Sequence, residues 1–133
     1  MTDEKFRASY ELTDTTFEQF VEQNTCPVLV MFYSPTCPYC AQLDPYFEQY
    51  AKEFQGKVFF AKINVAEHPR IAAKYHIMGT PTFSFFCSGH ISQQNVGAVY
   101  PTLIKKMVED GLSFGIECSK HVTWFNPGIT GYV

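Results

Sequence analysis

Cys37 and Cys40, separated by Pro38-Tyr39, are the residues of this chain whose type and spacing best support covalent chemistry. The apolar run Val28-Leu29-Val30-Met31-Phe32-Tyr33 predicts a buried strand, and Ser34-Pro35-Thr36 breaks it. Helical spacing begins at Cys37. A thiol in the first turn of a helix faces unpaired backbone N–H groups and the positive end of the dipole, which favours its thiolate. Cys40 stands about one turn further on, within reach of a short disulfide to Cys37. Pro38 suits the first turn because it has no N–H to lose there. One activated thiol and one resolving thiol make a site for thiol–disulfide exchange. The competing chemistry is half of a zinc site, completed by Cys118-x-x-His121. The strand–turn–helix setting and the proline inside the motif favour exchange.

The elements that must hold this pair can be read along the chain. A strand is expected over 6–12, followed by a helix that starts at a Thr15-x-x-Glu18 capping box. After the apolar strand, a long helix runs over 37–54, with Pro45 inside it as a source of a kink. A strand over 57–65 is apolar enough to be central, and a short helix over 68–75 tolerates Pro69 at its start. Strands over 82–87 and 91–99 flank Ser88-Gly89, a hairpin signal. A closing helix covers 103–112. The order β-α-β-α-β-α-β-β-α predicts an α/β fold with a central mixed sheet and helices on both faces. Residues 113–133, which hold Trp124, Phe125 and Tyr132, are expected to pack on this domain as an extension.

Composition narrows the function classes. The 133 residues suffice for one domain with its own core, and 13 Phe and 8 Tyr make that core aromatic. The formal charge of −3 is dispersed, with no basic block for nucleic acid or an anionic membrane. No run is apolar enough to span a bilayer, and the first residues lack the order of a secretory signal. Five cysteines, only two of them close together, argue for a reducing compartment, and a cytoplasmic protein is expected.

Around the C-x-x-C, the chain resembles the thioredoxin family over roughly residues 6–112. The resemblance rests on Leu12-Thr13-Asp14, Val28-Leu29-Val30-x-Phe32, Pro45 and Val58-x-x-Ala61-Lys62-Ile63-Asn64. It continues through Tyr75-x-Ile77-x-Gly79-Thr80-Pro81-Thr82, Phe86-x-x-Gly89 and Val96-Gly97. It implies a thioredoxin fold, a disulfide reductase, Cys37 as nucleophile and Cys40 as resolving thiol. Thr80-Pro81 would carry a cis peptide facing the cysteines, in a loop that offers its backbone to an extended substrate. Disulfide-bearing proteins would be substrates, and a reductase or a small thiol the electron donor. No cofactor and a monomeric state are expected.

Three departures qualify the resemblance. Met31 stands where the family usually buries an Asp that takes the proton of the resolving thiol. Lys62, which matches the family's lysine, is therefore expected to lack its carboxylate partner; it either reaches water or points inward and lowers the thiol pKa values. Thr36 and Tyr33 replace tryptophans, and Pro38-Tyr39 is the glutaredoxin dipeptide. Such changes move the site from about −270 mV toward about −200 to −230 mV. A glutathione-linked reductase, oxidase or isomerase is the alternative enzyme reading, and a metal-holding module the non-enzymatic one. Cys26, Cys87 and Cys118 read as ordinary residues.

Overall fold

A computed structural model describes residues 8–97 and 100–113. Five strands and three α-helices follow one another as β1 (Ser9–Leu12), β2 (Val28–Tyr33), α1 (Pro38–Glu53), β3 (Phe59–Asn64), α2 (Pro69–Lys74), β4 (Thr82–Cys87), β5 (His90–Val96) and α3 (Pro101–Ser113). A π-helical segment, Glu18–Glu22, lies between β1 and β2. The sheet order is β1-β3-β2-β4-β5. Strands β1 and β2 run parallel to β3, whereas β4 is antiparallel to β2 and β5 antiparallel to β4. This is the mixed, doubly covered α/β sheet that the element order implies.

Why β2 is an uninterrupted apolar run follows from its place in the sheet. Successive side chains point to opposite faces, so a strand covered on both sides has no polar face. Leu29 and Met31 join Phe60, Phe83 and Phe85 beneath Leu43, Phe47 and Ala51 of α1 and Ile104, Met107 and Val108 of α3. Val28, Val30 and Phe32 face the other way, against Phe17, Val21, Ile63, Ile71 and Phe86. Helix α1 is thus seated on the first of these two cores.

Two local signals resolve differently from each other. The helix after β1 does not use the Thr15-x-x-Glu18 box. Instead Thr13 and Thr16 cap reciprocally: the Thr13 N–H donates to Thr16 Oγ1 at 2.8 Å and the Thr16 N–H donates to Thr13 Oγ1 at 3.3 Å. A threonine at the third helical position replaces the usual acid, and the box starts two residues earlier. The hairpin matches its signal. Ser88 and Gly89 have φ of 52° and 85°, the doubly left-handed turn that fits the twist of paired strands. Helix α1 starts one residue later than the expected range, with Cys37 as its cap. Strands β1 and β3 are shorter than expected, since β1 begins at Ser9 and β3 covers Phe59–Asn64. The expectations for residues 1–7, 98–99 and 114–133 lie outside the described residues, so the extension and its Trp124 carry no structural account.

Candidate active site: the Cys37–Cys40 dithiol

The break after β2 delivers Cys37 to the N-cap of α1, with extended backbone at φ −91° and ψ 112°. Its Sγ accepts a hydrogen bond from the Cys40 N–H at 3.1 Å, the geometry of a side-chain helix cap. Its thiol also donates to the Thr80 carbonyl at 3.5 Å. Cys37 is partly exposed, while Cys40 is only 4% exposed. The pair therefore presents one thiol to partners and keeps the other beneath it.

Their acidities are driven apart. Burial raises the Cys37 pKa, but hydrogen bonds from the Cys40 thiol, the Thr80 side chain and the N–H groups of Cys40 and Tyr39 outweigh it. The net shift is downward from the ordinary thiol value. Burial pushes the Cys40 thiol up to about 11, and its hydrogen bond to Cys37 adds to the rise. The negative charge favoured at the helix start thus belongs on Cys37.

Pro38 occupies the first position of α1, and Tyr39 beside it is 51% exposed. The Thr80–Pro81 peptide is cis, as the resemblance implied. Its loop is tied down on both sides: Thr82 Oγ1 donates to the Gly79 carbonyl at 2.6 Å, and the Gly97 N–H donates to the Pro81 carbonyl at 2.7 Å. Met78 is 91% exposed and Val96 58% exposed, and Val96 packs against Gly79.

Of the two readings of Lys62, the inward one fits its burial, and the expected lack of a carboxylate partner is corrected. It is 5% exposed, so its amine does not reach out to water, and it does not lack a carboxylate partner. Its Nζ lies 2.6 Å from Asp44 Oδ1 and 2.9 Å from Glu48 Oε2, both on α1. Ser9 Oγ on β1 donates to the same Glu48 oxygen. A buried ammonium needs paired charge, and the helix rather than the neighbouring strand supplies it. Met31, directly beside Lys62 across the β2–β3 register, is 1% exposed and packs among Leu43, Phe47 and Phe83. Asp44 and Glu48 were not singled out from the sequence. Their signal was the spacing Cys40-x-x-x-Asp44-x-x-x-Glu48, which sets acids one and two turns below the resolving thiol.

The other aromatic above the site, Tyr33, donates its hydroxyl to Glu11 at 2.5 Å; burial, then Glu11, raises its pKa. Cys26 is an exposed free thiol. Cys87, expected to be an ordinary apolar residue at a strand end, is buried there but disulfide-bonded. Cys118 and His121, the second half of the zinc reading, lie outside the described residues. Among the described residues no three His, Cys, Asp or Glu side chains come together as a metal site.

A partly exposed thiol capping a helix, with a buried partner one turn along, defines a dithiol–disulfide exchange domain on a mixed α/β sheet. Comparison with known proteins agrees. The Thioredoxin family pattern matches residues 8–110. Thioredoxin 1 of a Nostoc species is 35% identical over 105 residues, which cover 79% of this chain and 98% of that protein. The thioredoxin of Chlorobaculum thiosulfatiphilum is 36% identical over 101 residues, covering 76% and 94%. The chloroplastic M-type thioredoxin of Spinacia oleracea is 34% identical over 103 residues, covering 77% and 57%. The chain belongs to the thioredoxin family. It is a thiol–disulfide oxidoreductase, and the metal-holding and glutathione-linked alternatives are not favoured.

Proposed function

We propose that Cys37 is the attacking thiol and Cys40 the resolving one, acting on disulfides of extended protein segments. The observation that carries this is the contrast between them: Cys37 is accessible and acidified, Cys40 buried and made less acidic. Cys37 thiolate attacks a substrate disulfide, forming a mixed disulfide and releasing one substrate thiolate. Cys40 then attacks Cys37 Sγ, expelling the second substrate thiolate and leaving Cys37–Cys40 oxidised. A reductase or a small thiol returns two electrons to the pair.

Pro38 fixes the first helical turn, and Tyr39 lends apolar contact to the substrate. Thr80 and Pro81 present main chain beside Cys37, suited to adding an extended segment as a strand. Lys62 acts indirectly, through the helix that carries Cys40. Residues 1–112 carry the activity as a monomeric domain, and 113–133 extend it. Among the described residues no helix is long and apolar enough to cross a membrane. The exposed free thiol of Cys26 supports a cytoplasmic, reducing setting, whereas the bonded Cys87 points the other way.

Reduction of insulin by the dithiol form, followed by turbidity and accompanied by metal analysis of the purified protein, tests the proposal. Turnover that disappears in Cys37→Ser, without stoichiometric metal, is the expected result. Bound zinc or iron with no turnover would overturn it.

A further inference from the structure

The resolving step needs a proton acceptor, because Cys40 must lose its proton to attack Cys37. Met31 offers none, and the cluster it packs in is apolar. Along α1, however, Cys40, Asp44 and Glu48 fall at i, i+4 and i+8, a single column on one helix face. Lys62 clamps the lower two members of that column, almost wholly buried itself. Asp44 remains 39% exposed on its side chain, so water can reach it. Pro45, next in the chain, has no N–H to pair with the Ala41 carbonyl, so one rung of the helix ladder is missing at this level.

We propose that Asp44 is the proton acceptor for Cys40, working through a bridging water, and that Lys62 and Glu48 are positioning residues that hold it there. The inference rests on the assignment of Cys37 as attacking and Cys40 as resolving thiol. In the step, the Cys40 S–H proton passes through water to Asp44 while the Cys40 sulfur bonds to Cys37 Sγ. The bond between Cys37 and the substrate sulfur breaks, and its electron pair leaves with the substrate thiolate. Asp44 then returns the proton to solvent or to that thiolate. No further oxidant is needed, because the substrate disulfide takes the two electrons.

The charged and titratable groups around Asp44 come from three elements. Lys62 on β3 pairs with Asp44, and Glu48 one turn below on α1 shares the same cation. Tyr33 on β2 feels the charge of Asp44, together with those of Glu11 and Glu67. The strand-borne acid usual in the family is thus replaced by a helix-borne one, reached from the same lysine.

Two rates separate this inference from the assignment beneath it. Attack by Cys37 on an aromatic disulfide such as dithiobis(nitrobenzoate) reports the first step. Release of the aromatic thiol from the preformed Cys37 mixed disulfide, followed by stopped flow from pH 5 to 9, reports the second. Asp44→Asn is expected to slow release about tenfold or more near pH 7 and to remove an inflection from its pH profile, with attack changed less than twofold. Asp44→Glu should recover part of the rate. Asp44→Ala should be accelerated by added acetate, which gives a readout that does not depend on how well the Asn variant folds. Unchanged release in Asp44→Asn, equal slowing of both steps, or no acetate response in Asp44→Ala would each overturn the proposal. Loss of attack in Cys37→Ser remains a separate test of the thiol assignment.

Discussion

Lys62 Nζ lies 2.6 Å from Asp44 Oδ1, so a cation buried in the sheet is tied to the helix that carries Cys40. Removing one member of a buried charged cluster leaves the others uncompensated, which costs more than the cluster contributes as a whole. Lys62→Met should therefore destabilise the protein by about 3 kcal/mol, near the low end for buried pairs because Asp44 is part-exposed. Urea denaturation of the oxidised protein measures it. A loss below about 0.5 kcal/mol would put the contact among ordinary surface pairs.

The dithiol also makes stability depend on pH. Cys40 has its pKa raised to about 11 in the folded state, above the value of about 8.5 for a free thiol. The unfolded chain therefore releases this proton first as pH rises. Its contribution is fully present below about pH 8.5 and is lost on the way to about pH 11. Cys37, shifted the other way, adds stability only once it ionises and loses it as pH falls through its folded value. Reduced protein should weaken more steeply than oxidised protein above pH 8.5, and Cys40→Ser should remove that difference. Parallel slopes for the two redox forms would show that Cys40 does not titrate as its burial requires.

Gly111 sets two local preferences against each other. Alanine is the better helix former by about 1 kcal/mol. Yet a Cβ at this position would stand 2.3 Å from Cζ of Phe85, inside the ring's contact distance. Phe85 is fully buried between strands and helices, so α3 would have to lift from the sheet. Overpacking of this kind typically costs about 1–3 kcal/mol and outweighs the propensity gain. Gly111→Ala should lower the thermal midpoint while leaving Cys37 alkylation kinetics intact. A raised midpoint would mean that α3 adjusts without strain.

The parts of this protein that were legible in its sequence are those written locally. Cys37 and Cys40 sit within one helical turn, and the break at Ser34-Pro35-Thr36 follows a run that only a doubly covered strand explains. Ser88-Gly89 announced its turn through two residues that tolerate positive φ. The Thr13–Thr16 cap was misplaced because four hydroxyl or acidic residues crowd positions 13–16, and spacing alone does not choose among them. Lys62 was misread for another reason. Its partners come from a helix 14 and 18 residues earlier in the chain, and nothing in the strand's own pattern reports them. Met31 suggested that the lysine would be stranded; only the packing of α1 on β3 shows what replaces the missing acid.

The division of labour between the two cysteines is tested most directly by trapping. Cys40→Ser, reduced and mixed with a disulfide-bearing protein such as insulin, should accumulate a mixed disulfide. Peptide mass spectrometry should place that link on Cys37. The same mixture with Cys37→Ser should give no adduct at the motif, since Cys40 is buried and less acidic. A link found mainly on Cys40 or on Cys26, or equal trapping by both variants, would contradict the account.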